Sequence, residues 1–306
     1  MDSPMPPHTP QVEGARAPQG LERLTGERRA GTIRQHPVVA YFAVTFSVSW
    51  GAALCVALPW LTRGRALPDL VGILMFPAML LGPSVMGLTM TRAIDGPSGL
   101  RTLGRRLRSW RLGRWYAALG IPPLLVYGIL YCLQSFASPA FAPNMFFTGV
   151  FFVIPAGYLE EIGWTGFAFE KLHARGTAFR AAVILGLMWA LWHLPVVDFL
   201  GVAHPHGAYW APFFLAFGAA MTALRVLIVW TYVNTGSLLA AQLLHVSSTG
   251  ALVVLGPTRV NAPQEVAWYA LYALALWLVV AVVVRTNGFA LTRSRGNTMT
   301  TQGRSM

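Results

Sequence analysis

Five ionisable side chains stand in stretches that are otherwise apolar. Glu160 and Glu161 are adjacent in "AGYLEEIGWTGFAF". His193 closes "LMWALWH", Arg225 interrupts "AAMTALRVLIVW", and His245 follows "SLLAAQLL". A carboxylate beside an imidazole is what activation of water requires. Removed from bulk solvent, a carboxylate holds a proton more readily and can serve as general base. A second imidazole can donate a hydrogen bond to a developing oxyanion. Two histidines and one glutamate (His193, His245 and Glu160) could also ligate zinc. The plainer alternative is a buried polar network that only holds helices together.

These residues need a scaffold, and composition says which kind. The chain of 306 residues is 55% hydrophobic and 11% charged, with a mean hydropathy of +0.53. A soluble domain carries roughly a quarter charged residues, so a membrane protein is expected. Cys55 and Cys132 both fall in apolar runs, which argues against a disulfide framework. Eight apolar segments approach spanning length: 38–61, 70–91, 115–134, 146–169, 178–198, 209–233, 236–256 and 265–285. The alternation that a membrane β-barrel needs is missing, so the expected fold is all-α and polytopic, with about eight transmembrane helices. With the N-terminus inside, nineteen basic residues fall in inner segments and three (Arg63, Arg65, Arg259) in outer loops. That bias predicts both termini on the cytoplasmic side. Residues 1–36 and 288–306 are expected to be disordered cytoplasmic tails flanking a transmembrane domain at 37–287.

Depth can be counted from the inner boundary at about 1.5 Å per residue. Glu160 falls roughly 15 Å in, Arg225 and His245 roughly 13 Å, and His193 roughly 22 Å. Four spans can therefore bring all five groups into one layer. Charge at such depth costs a few kcal/mol per group and marks function by default.

With those residues in view, the chain resembles the CPBP intramembrane proteases, relatives of type II CAAX prenyl endopeptidases and of bacteriocin-immunity (Abi) proteins. The family motif EExxxR reads "EEIGWT", with Glu160 and Glu161 matching and Thr165 in place of Arg. The motif FxxxH reads "WALWH", with Trp189 for Phe and His193 matching. The third motif, His with Asn four residues on, reads "HVSST", with His245 matching and Thr249 for Asn. The motif core spans 155–250.

The resemblance implies an endopeptidase acting on membrane-anchored or peptide substrates. Glu160 and His193 would activate water, and His245 with Thr249 would stabilise the oxyanion. Glu161 and Trp189 would support them, and Arg225, which no family motif covers, is expected from its depth to do so as well. Residues four apart share a helix face, which keeps the His245–Thr249 pairing possible. Zinc is possible on Glu160, His193 and His245, but water activation by glutamate uses the same residues.

Two placements are open for Arg225. It could supply from another helix the cation that Thr165 lacks and pair with Glu161, or extend its stem toward the inner headgroups. The competing function is a catalytically impaired scaffold or immunity factor of the same fold. A proton-relay transporter is the third class, and no internal repeat supports it.

Other features lie outside this layer. The Arg-rich run 99–116 reads as an amphipathic segment on anionic lipid rather than a nucleic-acid site. His204 and His206 flank Pro205 in an outer loop without a third ligand. The expected setting is a bilayer, in a bacterial plasma membrane; oligomeric state is open.

Overall fold

The computed structural model describes residues 33–65, 67–199 and 206–292. The chain divides into Met1–Pro37 and Val38–Met306. In the first unit the described residues are 33–37, with 33–35 helical and Pro37 opening the next helix. The second unit carries the architecture. His204 and the stretch 293–306 fall outside the described residues.

The protein is an all-α polytopic membrane protein, with no strand among the described residues. The helices are α1 (Pro37–Leu61), α2 (Asp69–Ile94), α3 (Gly96–Leu107), α4 (Ile121–Phe136), α5 (Val150–Gly163), α6 (Glu170–His173), α7 (Ala178–Trp192), α8 (Leu194–Phe199), α9 (Trp210–Thr235), α10 (Leu238–Leu255) and α11 (Ala262–Asn287). A 3-10 segment, Gly113–Gly120, leads into α4, and a π-helical segment, Trp164–Phe169, joins α5 to α6. Outward-facing Val39, Leu70, Leu124, Phe151, Leu215 and Leu278 are each more than half exposed, as a lipid-facing surface requires.

Six helices among the described residues are long and apolar enough to cross a membrane. Eight were expected, and the difference lies in the fourth and fifth segments. The fourth is helical from 150 to 173 but passes through the π turn that begins three residues after Glu161. The fifth is a shorter apolar helix, α7, of 15 residues. It stops because Pro195 has no N–H to offer the Leu191 carbonyl. The chain turns at His193 and resumes as α8.

The ends of the elements are set locally. Thr177 caps α7 through the Arg180 N–H at 3.2 Å, and Ser237 caps α10 through the Ala240 N–H at 3.1 Å. Between α9 and α10, Gly236 takes the left-handed conformation (φ 63°) that ends one helix and opens the next. Asn261 and Gln264 form a reciprocal capping box on α11. Residues 288–291, expected in the C-terminal tail, turn back onto the bundle. Leu291 is buried there, and its carbonyl accepts from Asn234 Nδ2 at 2.7 Å.

Span α9 is the most enclosed, with 67% of its apolar window inside the bundle. It packs between α7 and α11, while α5 packs against α2 and α10. Small residues permit the close crossings. A Cβ on Gly163 would lie 2.0 Å from the Pro83 carbonyl oxygen, and one on Gly186 would lie 2.7 Å from Thr222 Cα. The first part of the Arg-rich run lies in α3, with Leu103 buried and Arg101 and Arg105 exposed, and the rest passes through a non-helical stretch into the 3-10 segment. Ion pairs Arg106–Glu170 (3.1 Å) and Lys171–Asp95 (2.5 Å) tie α3 to α6.

Gly163 directly follows the turn that carries the glutamates, so its contact sets their position. Gly163→Val should therefore lower stability by about 1–3 kcal/mol through overpacking. Thermal melting in detergent should show the loss, and a variant as stable as the wild type would refute the close α2–α5 crossing.

Candidate active site

Four helices deliver the polar residues: α5 (Glu160, Glu161), α7 (Trp189, with His193 just past its end), α9 (Arg225) and α10 (His245, Thr249). Glu160, Glu161, Arg225 and His245 are each at most 1% exposed. The site has two parts that share a wall.

One part is a cavity of about 340 Å³. Glu160, His193, His245 and Thr249 all line it, together with Trp189. Most of the remaining wall is apolar, including Phe76, Phe152, Val196, Phe217 and Leu252. Glu160 Oε2 accepts from the indole N–H of Trp189 at 2.8 Å and of Trp164 at 3.2 Å. Both bonds use the same oxygen, so Oε1 has no protein partner among the described residues. His193 Nδ1 lies 2.8 Å from the Trp189 carbonyl. A carbonyl only accepts, so Nδ1 carries the proton and Nε2 is left as a base. No side-chain partner holds the Thr249 hydroxyl among the described residues.

The other part lies behind the cavity. Arg225 Nη1 donates to both oxygens of Glu161, at 2.7 and 2.8 Å, and approaches Thr165 Oγ1 at 3.4 Å. The Thr165 hydroxyl also donates to Glu161. His245 Nδ1 meets Glu161 Oε1 at 2.7 Å, so its Nε2 is the nitrogen available to a substrate. The guanidinium lies over the Trp189 ring, 4.3 Å from its centroid. The pairing placement of Arg225 is the one observed, and the extended-stem placement is not.

All five charged or titratable groups singled out in the sequence thus meet, as does Thr249. Sequence reasoning missed the indole donors. Trp164 stands four residues after Glu160, so the spacing carried a signal; Trp189 was expected to support the site as the replacement for Phe, without its donor role. It also missed a second buried pair. His206 Nε2 lies 3.1 Å from Glu265 Oε2, with its ring stacked on Phe213, away from the catalytic candidates. His173 stacks on Phe169 near the end of α6.

Glu160, His193 and His245 line one cavity, and each histidine keeps Nε2 available. Among the described residues, however, no three His, Cys, Asp or Glu side chains converge closely enough to hold a metal ion. Glu161, the nearest further carboxylate, is committed to Arg225, Thr165 and His245. As arranged, the residues do not form a ready zinc site.

Comparison with known proteins points to the same segment. Residues 142–250 match the family model described as "Type II CAAX prenyl endopeptidase Rce1-like". A relative from Methanococcus maripaludis, named "CAAX prenyl protease 2", is 29% identical over 101 residues. That alignment covers 31% of this chain and 36% of the relative's length. The matched segment contains Glu160, Glu161, His193, Arg225, His245 and Thr249, so the resemblance read from the motifs is borne out.

The donor arrangement predicts less than stoichiometric metal. Elemental analysis of the detergent-purified full chain should find zinc well below about one per chain. One zinc per chain, lost in His245→Ala, would show that the residues regroup around a metal.

Proposed function

We propose that this protein is an intramembrane endopeptidase that hydrolyses a peptide bond of a membrane-associated substrate. The observation that carries the reading is that Glu160, His193, His245 and Thr249 line one largely apolar cavity. Its apolar walls suit an extended or lipid-modified segment and keep bulk water from the reacting groups.

In this reading a water lies between Glu160 Oε1 and His193 Nε2. Glu160 takes its proton as the oxygen adds to the substrate carbonyl carbon. The oxyanion that forms faces His245 Nε2 and the Thr249 hydroxyl. Thr249 donates without any change of protonation; His245 donates from Nε2 only when doubly protonated, because its Nδ1 proton is given to Glu161. As the C–N bond breaks, the proton on Glu160 passes to the departing amine. Trp189 and Trp164 hold Glu160 Oε2, so the other oxygen is presented to water.

The reading places the chain in a bacterial plasma membrane, with both termini cytoplasmic. The distribution of nineteen basic residues on inner segments supports that orientation.

The test is cleavage by membranes carrying the wild type, Glu160→Ala or His193→Ala, with a panel of membrane-anchored reporter peptides. Removing a general base costs about 10²–10⁴-fold, so each variant should lose cleavage while accumulating normally. Undiminished cleavage in both would leave this fold as a non-catalytic scaffold.

A further inference from the structure

Trp189 contacts four residues of the site: Glu160, His193, His245 and Arg225. Its N–H donates to Glu160 Oε2 at 2.8 Å, and its carbonyl receives the His193 Nδ1 proton at 2.8 Å. Its ring packs edge-on against the imidazoles of His193 and His245, with centroids 5.1 and 5.0 Å away. Its face carries the Arg225 guanidinium at 4.3 Å. That same guanidinium holds Glu161, and Glu161 holds His245. One fully buried cation therefore reaches both glutamates, Glu161 directly and Glu160 through the indole.

We propose that Arg225 is a positioning residue for the hydrolytic site, and that Thr165, Trp189 and Arg225 act as one coupled unit. The inference rests on the endopeptidase reading for its activity arm. Thr165 stands one turn after the glutamates, where a cation on the same helix would reach Glu161. A threonine there leaves the carboxylate needing a charge from elsewhere, and α9 supplies it. Arriving from α9, the guanidinium lies against residue 189. A phenylalanine at 189 would offer the cation a ring but no donor for Glu160. Tryptophan offers both. The three residue types are thus explained together: the threonine hydroxyl adds a bond to Glu161, the arginine neutralises it, and the indole passes the constraint to Glu160. A lysine at 225 would keep the charge but lose the planar face that stacks on the indole.

Two measurements on the full chain test this, one independent of activity. In the first, the protein is labelled with ¹⁵N-tryptophan in detergent, and the Trp189 indole signal is assigned by its loss in Trp189→Phe. The signal should lie downfield, as for an N–H bonded to a carboxylate, and should move in both Glu160→Gln and Arg225→Lys. An indole signal unmoved by Arg225→Lys overturns the coupling, whatever the activity.

The second follows cleavage of a quenched, membrane-anchored reporter peptide. Trp189→Phe should lower kcat about 10- to 100-fold with KM changed less than about twofold, the loss of a bond to a charged group. Arg225→Ala should accumulate poorly and be inactive. Thr165→Arg in that background should restore accumulation and at least about a tenth of the wild-type kcat, since the replacement cation is held in an equivalent pair. Restored accumulation without activity would make the pair merely structural and overturn the proposal. So would a normal kcat in Trp189→Phe, or no rescue of either property. If the wild type cleaves no reporter while the indole signal responds as stated, the coupling stands and the endopeptidase reading falls.

Discussion

An ion pair with no solvent exposure on either side chain is the constraint around which this bundle is organised. Removing a guanidinium and a carboxylate from water costs several kcal/mol per ion, and mutual attraction offsets that only with good geometry and further bonds. Glu161 receives those bonds from Arg225, Thr165 and His245. Arg225 is less fully served: among the described residues its Nε and Nη2 atoms have no hydrogen-bond partner, and the face of Trp189 is its other support. Meeting these demands requires α5, α7, α9 and α10 to converge at one depth. Glycines at 163 and 186 let neighbouring backbones approach closely enough. Losing one partner would leave a buried charge uncompensated, which makes the arrangement close to all-or-none.

Separation of the two glutamates follows from the same constraint. Adjacent residues on a helix point about 100° apart, so Glu160 and Glu161 cannot face the same neighbours. Glu161 turns toward the cation and Glu160 toward the cavity. One is committed to structure and the other keeps an oxygen available. The π turn begins three residues after Glu161, and single π turns recur at functional sites. Here both carboxylates are bonded by residues from that turn, Trp164 and Thr165. Local backbone form and site geometry are therefore linked through those two side chains.

Much of this was legible because ionisable residues in apolar spans are scarce. Glu160, Glu161, His193, Arg225 and His245 identified themselves by type, and counting residues from the inner boundary placed them in one layer. The missing cation at Thr165 suggested the pairing of Arg225 with Glu161, but the sequence left the extended-stem placement open as well. Tryptophan hid what charge revealed: in an apolar span its ring reads as packing, and its single N–H leaves no periodic mark. Hydropathy also could not show that the fourth and fifth segments are interrupted. A π turn leaves composition unchanged, and Pro195, which ends α7, lies inside the segment read as 178–198. The His206–Glu265 pair escaped because its members lie 59 residues apart, on either side of two whole spans.

The central claim, that Arg225 and Glu161 are a mutually dependent pair, is tested most directly by a double-mutant cycle on stability. Arg225→Met, Glu161→Gln and the double variant would be compared with the wild type by reversible unfolding in mixed micelles. Each single variant leaves one charge buried alone, a loss of about 3–5 kcal/mol. The double variant removes both charges, so it should be no less stable than either single variant, with a coupling energy of at least about 2 kcal/mol. Losses that add to within about 0.5 kcal/mol would show the two residues to be independent, and would contradict the account.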